Sequence, residues 1–304
     1  SFSGVATISV TANGCNGPSA SASTTVTVNP LPVPTLASSD PDNRFCAGTS
    51  VTFTAGGGTS YDFRVGGISR QTGSSNTYIT NTLTNGQVVS VVVTNEYGCS
   101  ATSTGITNTV YSLPVPTISS TDADNIFCIG TSVTFIAGGG GVNYDFRVGG
   151  ITMQSGPSNT YITTSLINGQ TVSVVVTNSN GCSATSSGIT NYVNPLPSIF
   201  ITSGPTCAPD LLTYSLTVGV SSGTVTSTSG TVTNTSGDIW TITGVNSGTN
   251  ITIKVTNEYG CEKNLVVTAP DCSCPVISPP VSGGDKTYCT TQTVPAITAS
   301  VSAG

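Results

Sequence analysis

The sequence predicts an all-β protein, a tandem array of Ig-like antiparallel β-sandwich domains, each with one intradomain disulfide. Three observations predict it. The first is a recurring stretch, Val91-Val-Val-Thr-Asn-Glu-Tyr-Gly-Cys99, which returns as Val174-Val-Val-Thr-Asn-Ser-Asn-Gly-Cys182 and Ile253-Lys-Val-Thr-Asn-Glu-Tyr-Gly-Cys261. A version one residue shorter, Ile8-Ser-Val-Thr-Ala-Asn-Gly-Cys15, comes first. The second is alternation. Val89, Val91 and Val93 point to one face, matched by Ile251, Ile253 and Val255 and by Ala6, Ile8 and Val10, while Thr and Ser dominate the other. Period two with β-branched residues is the pattern of a half-buried strand, and Asn-x-x-Gly then turns the chain. The third is the period. The four cysteines that follow the turn, Cys15, Cys99, Cys182 and Cys261, recur at a period of roughly 80 residues, the spacing of an array of similar domains.

Length and composition agree. A chain of 304 residues exceeds what one core serves. Only 7% of residues are charged, and the net charge of −6 is carried with seven Lys and Arg in all, unclustered. That excludes nucleic acid as a partner. No apolar run is long enough to span a membrane. The chain carries no signal peptide and starts inside a domain, so a segment of a longer exported protein is expected. With no histidine there is no Ser-His-Asp or Cys-His arrangement. Nucleotide and metalloprotease motifs are absent as well, and no enzymatic activity is expected.

Ten cysteines at matched positions point to an oxidising compartment. One precedes the first strong strand of each repeat and one follows the turn. The separation between these two is the same to within one residue in all three full repeats. The expected pairs are therefore Cys46–Cys99, Cys128–Cys182 and Cys207–Cys261. Metal thiolates are the rival reading. They want closely spaced Cys or His pairs.

The expected domains run in order. Residues 1–29 are the C-terminal part of one domain, with strands ending at Thr11 and running from Ser19 to Val28. Residues 30–111 are a full repeat. In it Cys46 to Ala55 reads as one strand, Tyr61-Asp-Phe-Arg-Val65 as the next with Tyr61, Phe63 and Val65 inward, and Tyr78 to Leu83 as another. Asn85-Gly86 reads as a hairpin turn. Residues 112–194 copy that repeat nearly residue for residue. Residues 195–271 diverge. They keep Cys207, Cys261 and an inward aromatic, Trp240, and place the Thr/Ser-rich stretch 221–236 where Tyr-Asp-Phe-Arg stood. Residues 272–304 open a further domain, in which Tyr288-Cys-Thr-Thr-Gln-Thr-Val294 matches Phe45-Cys-Ala-Gly-Thr-Ser-Val51. Cys272 and Cys274 stand two apart and are expected to pair with other cysteines around this junction. Stiff proline joints recur at Asn29-Pro-Leu-Pro-Val-Pro34, Leu113-Pro-Val-Pro116 and Asn194-Pro-Leu-Pro197.

Candidate ligand sites are few. Asp40-Pro-Asp42-Asn43 and its copy Asp122-Ala-Asp124-Asn125 follow two of the joints. Alternating oxygens there suit calcium, the one candidate cofactor. The other reading is turn formation, since Asp and Asn cap their own backbone. Asp62–Arg64 and Asp145–Arg147 read as ligand recognition or as cross-strand charge pairs on a solvated sheet. The Thr-rich run 223–235 reads as a hydroxyl array for sugar or ice, or as an edge strand with Thr outward. A Lys–Asn isopeptide link is excluded from the first two full repeats, which hold no lysine.

The pattern Cys-x-Gly-Thr-Ser-Val-Thr-Phe, then Tyr-x-Phe-x-Val-x-Gly, then Val-Thr-Asn-x-x-Gly-Cys resembles the tandem Ig-like and PKD-like repeats of very large Bacteroidota surface proteins. The junction Ala269-Pro-Asp-Cys-Ser-Cys-Pro275 is similar to the same proteins. That family includes gliding-motility adhesins exported by type IX secretion. The resemblance implies an extracellular, cell-surface stalk or filament segment that projects a binding tip. Its partners would be neighbouring domains of the same longer chain, other copies in a filament, and a surface or glycan ligand at the tip. Four units of roughly 30 Å would reach on the order of 100 Å in line. A glycan-binding module array of a secreted polysaccharide-active protein is the alternative, and a row of exposed aromatics would favour it. The part-domain at each end of the chain is so short that the two together fall well below one repeat, which disfavours simple complementation between copies.

Overall fold

The computed structural model describes residues 4–273, and all regular structure in them is β-strand. The chain divides into two compact units. The first comprises Ser1–Thr121, Thr134–Tyr161 and Thr171–Ile189, and the second Asp122–Val133, Ile162–Gln170 and Thr190–Gly304. Residues of the second full repeat are thus divided between them.

In the first unit the first full repeat is an Ig-like sandwich. One sheet is antiparallel, in the order Thr77–Thr80, Val51–Gly56, Thr35–Ser38. The other runs Ser100–Thr102, Val88–Thr94, Ser60–Val65, Ile68–Gly73, and Ile106–Thr107 also pairs with Val88–Thr94. Alternation decides what faces inward. Val51, Phe53, Ala55, Tyr61, Phe63, Val65, Val89, Val91 and Val93 are all buried and form one core with Phe45, Leu83 and Val110. Tyr78 stacks on Phe63 at 5.7 Å and on Phe53 at 6.4 Å between ring centroids, a geometry that adds to the burial itself. The same alternation recurs at Tyr144, Phe146 and Val148 and at Val172, Val174 and Val176.

Two features of this repeat differ from the sequence expectation. Cys46 to Ala55 is not one strand. Arg44–Cys46 is a short strand of its own, paired in parallel with Thr109–Tyr111. The chain then turns through Gly48, at φ +85°, before Val51–Gly56 begins. Nor is Asn85-Gly86 a hairpin turn. The strands on either side pair with different neighbours, Thr77–Thr80 with Val51–Gly56 and Val88–Thr94 with Ser60–Val65. The turn therefore carries the chain from one sheet to the other. Asn85 holds it there by accepting the Val110 N–H at 3.1 Å.

The N-terminal stretch is a hairpin of Gly4–Val10 with Ala22–Val28, tipped by the short pair Asn13–Gly14 and Gly17–Pro18. Its second strand starts at Ala22 rather than Ser19.

In the second unit the third repeat is also a two-sheet sandwich. Its sheets run Ile199–Cys207, Thr213–Val220, Ile239–Asn246, Thr231–Ser236 and Thr224–Ser227, Ile251–Thr256, Glu262–Val267. The fully buried aromatic is Tyr214, not Trp240, which is half-buried at the margin of the core. Tyr214 donates its hydroxyl to the Thr249 carbonyl at 2.7 Å, and burial raises its pKa. The Thr-rich run splits into two edge strands, one in each sheet, with Val225 turned into the core. The expected further domain at 272–304 lies almost wholly outside the described residues, as do Cys274 and Cys289.

Candidate functional site at the repeat joints

The recurring Thr-Asn-x-x-Gly-Cys turn does more than reverse the chain. Asn95 Oδ1 accepts the backbone N–H of Tyr97 at 3.1 Å and of Cys99 at 3.0 Å. The Asn95 N–H donates to the Cys99 carbonyl at 3.0 Å, and Gly98 sits at φ +79°, where a side chain would be strained. This is an Asx-type turn that leaves the amide nitrogen free to point outward. Asn95 Nδ2 donates to the carbonyl of Pro30, in the joint ahead of the repeat, at 2.8 Å.

The other two copies do the same. Asn178 caps the N–H groups of Asn180 and Cys182 and donates to the Ser112 carbonyl at 2.9 Å. Asn257 caps Tyr259 and Cys261 and donates to the Pro195 carbonyl at 2.9 Å. One side chain thus shapes the turn, presents the cysteine and grips the preceding joint. Sequence reading took this asparagine as a turn residue only. Its recurrence ahead of each of these cysteines was the signal.

The disulfides overturn the expected pairs. Cys46 is bonded to Cys182, Cys128 to Cys261 and Cys207 to Cys272. Cys99 is free and half-buried. The first two bonds join the opening cysteine of one repeat to the turn cysteine of the next. The reason is position within the sandwich. Cys46 pairs in register with Tyr111, the last strand residue before the following joint. Cys99 lies at the other end, its thiol 4.0 Å from the Asn29 carbonyl before the preceding joint. The two cysteines of a repeat therefore face different neighbours. Cys128 pairs in register with Asn194 in the same way, one residue before the carbonyl gripped by Asn257.

The Asp-x-Asp-Asn motifs fold on themselves. Asp40 and Asp42 both accept the Arg44 N–H, at 3.0 and 3.2 Å, and Asp122 and Asp124 both accept the Ile126 N–H at 3.1 Å. Asn43 and Asn125 take left-handed conformations, φ 56° and 59°. The carboxylates point at backbone and close turns, and among the described residues no cluster of three or more acidic, Cys or His side chains forms.

The charge pairs are along one strand, not across two. Arg64 meets Asp62 at 2.7 Å and Arg147 meets Asp145 at 2.6 Å. Desolvation opposes ionisation of Asp62, but the Ser69 hydroxyl and Arg64 outweigh it and lower its pKa.

No protein-family model matches the chain, and no curated protein sequence matches it at a significant level. Solved structures similar to it include the fibronectin(III)-like modules of Clostridium thermocellum CbhA, at 15% identity over 53% of this chain and 95% of that one, TM-score 0.32. The ICAM-5 D1–D4 ectodomain fragment is 11% identical over 88% and 83%, TM-score 0.39. A Bacteroides ovatus glucan-utilisation protein in complex with a mixed-linkage heptasaccharide is 12% identical over 74% and 64%, TM-score 0.21. The chain's own sheets and cores make it an array of Ig-like β-sandwich repeats.

Asn178→Ala removes the turn caps and the joint bond and should cost about 1–3 kcal/mol, whereas Asn178→Asp keeps the acceptor, loses only the joint bond and should cost less. Chemical denaturation of the two variants separates these effects. Calcium, if it binds the Asp40 and Asp122 turns, would raise the melting temperature by mass action. We expect identical melting in millimolar calcium and in chelator, and a clear rise with calcium would make these turns a cation site.

Proposed function

We propose that this chain is a load-bearing segment of an extracellular adhesin, a stalk whose repeats are chained covalently to present a ligand-binding tip away from the cell surface. The observation that carries this reading is the pairing of two opening cysteines, Cys46 and Cys128, with the turn cysteine of the repeat that follows. A catalytic or single-ligand domain needs no such staple between neighbours, whereas a fibre under tension gains from it. The asparagine grip at each joint works in the same direction. Disulfides of this kind fit an oxidising, secreted or cell-surface location. The sequence resemblance to Bacteroidota repeats supports a surface adhesin exported by type IX secretion, and gliding is the corresponding role for the whole protein.

The second reading, a glycan-binding array, draws support from Tyr97 and Tyr259, which are exposed at equivalent turn positions. Aromatic faces of this kind stack on sugar rings. Under the stalk reading, the intact chain should bind no glycan on an array. Binding that is lost in Tyr97→Ala or Tyr259→Ala would favour the second reading.

Single-molecule pulling on the chain tests the load-bearing role directly. Between Cys46 and Cys272 the shortest covalent route crosses to Cys182, follows the backbone to Cys207 and crosses again to Cys272. At about 3.5 Å per residue this limits extension to roughly 90 Å. Reduction releases the whole intervening chain, on the order of 800 Å by the same measure. An oxidised chain that lengthens as far as the reduced one would overturn the proposal.

A further inference from the structure

We infer that Cys99 is the receiving half of one more inter-repeat disulfide, closed by the opening cysteine of the repeat whose C-terminal hairpin is residues 4–28. The inference rests on the joint geometry and deepens the load-bearing reading by naming the missing partner. Three joints align residue for residue: Val28-Asn29-Pro30-Leu31-Pro32, Val110-Tyr111-Ser112-Leu113-Pro114 and Val193-Asn194-Pro195-Leu196-Pro197. In the second and third, the residue before the gripped carbonyl, Tyr111 or Asn194, pairs in parallel with an opening cysteine, Cys46 or Cys128. That cysteine is bonded to the turn cysteine beyond the joint, Cys182 or Cys261.

At the first joint every other part of this arrangement is in place. Asn95 grips the Pro30 carbonyl, and the Cys99 thiol lies 4.0 Å from the Asn29 carbonyl, beside the residue an opening cysteine would pair with. The opening strand is the one part not found at this joint among the described residues.

An independent observation locates that strand. The hairpin of residues 4–28 exposes the face that full repeats bury. Ile8 and Val10 are 53% and 66% exposed, whereas their counterparts Val91 and Val93 are fully buried. Val28 is 40% exposed, and its counterparts Val110 and Val193 are 8% and 7%. The face fits the front half of its own repeat, the half that carries the opening strand. Two spacings agree on where the cysteine falls. One is the span of the established bonds, Cys46–Cys182 and Cys128–Cys261, counted back from Cys99. The other is the spacing of opening and turn cysteines within a repeat, counted back from Cys15. The two counts land within a few residues of each other upstream of Ser1, as the repeat period requires. The partner is therefore a strand of the Phe-Cys-x-Gly-Thr-Ser-Val type on the same polypeptide. The opening-type segment Tyr288–Val294 of a second copy would bring the cysteine without the middle strands that the exposed face needs.

Bond formation is a two-electron oxidation. The two thiols lose two protons and two electrons to a disulfide or quinone-linked oxidase of the export compartment, and one S–S bond forms. Non-reducing peptide mapping of the natural protein by mass spectrometry tests the inference. The expected result is a Cys99 peptide linked to an opening-type peptide from upstream of Ser1, at the span of the established bonds. Cys99 recovered as a free thiol, or linked to Cys15 or to the Cys289 peptide, would overturn it. Alkylation of the unreduced chain of this sequence gives the complementary reading, with Cys99 labelled and Cys182 and Cys261 protected. Protection of Cys99 in that isolated chain would count against an upstream partner. The force experiment above does not involve Cys99, so the two can fail separately.

Discussion

The organisation of the chain depends on the length of one strand. Val88–Thr94 spans seven residues, about 23 Å end to end. Its start lies beside the Asn85 turn, which holds Val110 and through it the opening strand at Phe45. Its end runs into the turn that carries Cys99. A disulfide brings two Cα atoms to within 5.6–5.7 Å in this protein. Cys46 and Cys99 therefore cannot meet across their own sandwich, and Cys46 is bonded to the following repeat instead. Each sandwich is held by its core, and the joints at 113–116 and 194–197 each by a disulfide, a division of labour set by where the strand begins and ends.

The energetics reflect that division. Buried Phe and Val side chains contribute roughly 1.5–3 kcal/mol each against the entropy of ordering the chain. The inter-repeat disulfides close loops of well over a hundred residues, which in the chain-entropy model is worth roughly 5 kcal/mol apiece. Loops that long constrain the unfolded array as a whole rather than any one domain. The joint asparagine adds a smaller contribution but a directional one, because its amide fixes where the cysteine points before oxidation.

Much of the fold was legible because alternation is a local signal. Phe63 between Asp62 and Arg64, and Val91 between Ser90 and Val92, had only one sensible face. Other features depended on partners that sequence does not name. Asn85-Gly86 has hairpin chemistry, but which sheets its flanking strands join is a tertiary matter. Trp240 was read as the inward aromatic of the third repeat, yet Tyr214 fills the core and its hydroxyl finds the Thr249 carbonyl, while Trp240, also on an inner strand, stays at the margin. The cysteine pairing failed for a more general reason. In a periodic chain, equal spacing within a repeat guarantees equal spacing to the next one, so Cys46 stands in as regular a relation to Cys182 as to Cys99. Only the position of each cysteine along the sandwich distinguishes the two. The Asp40 and Asp122 motifs had two readings, and their side chains close turns on the Arg44 and Ile126 amides.

The staggered bonds also bear on survival after a cut. The spans Cys46–Cys182, Cys128–Cys261 and Cys207–Cys272 overlap, so every peptide bond from Cys46 to Cys272 lies inside at least one closed ring. A single proteolytic nick anywhere in that range leaves both pieces on one molecule. Bonds confined to single repeats would have left the stretches 100–127 and 183–206 outside any ring. Those hold the second and third proline joints, where Val115 is 80% exposed. A chain of this design can be clipped at either of those two joints without shedding what lies beyond it.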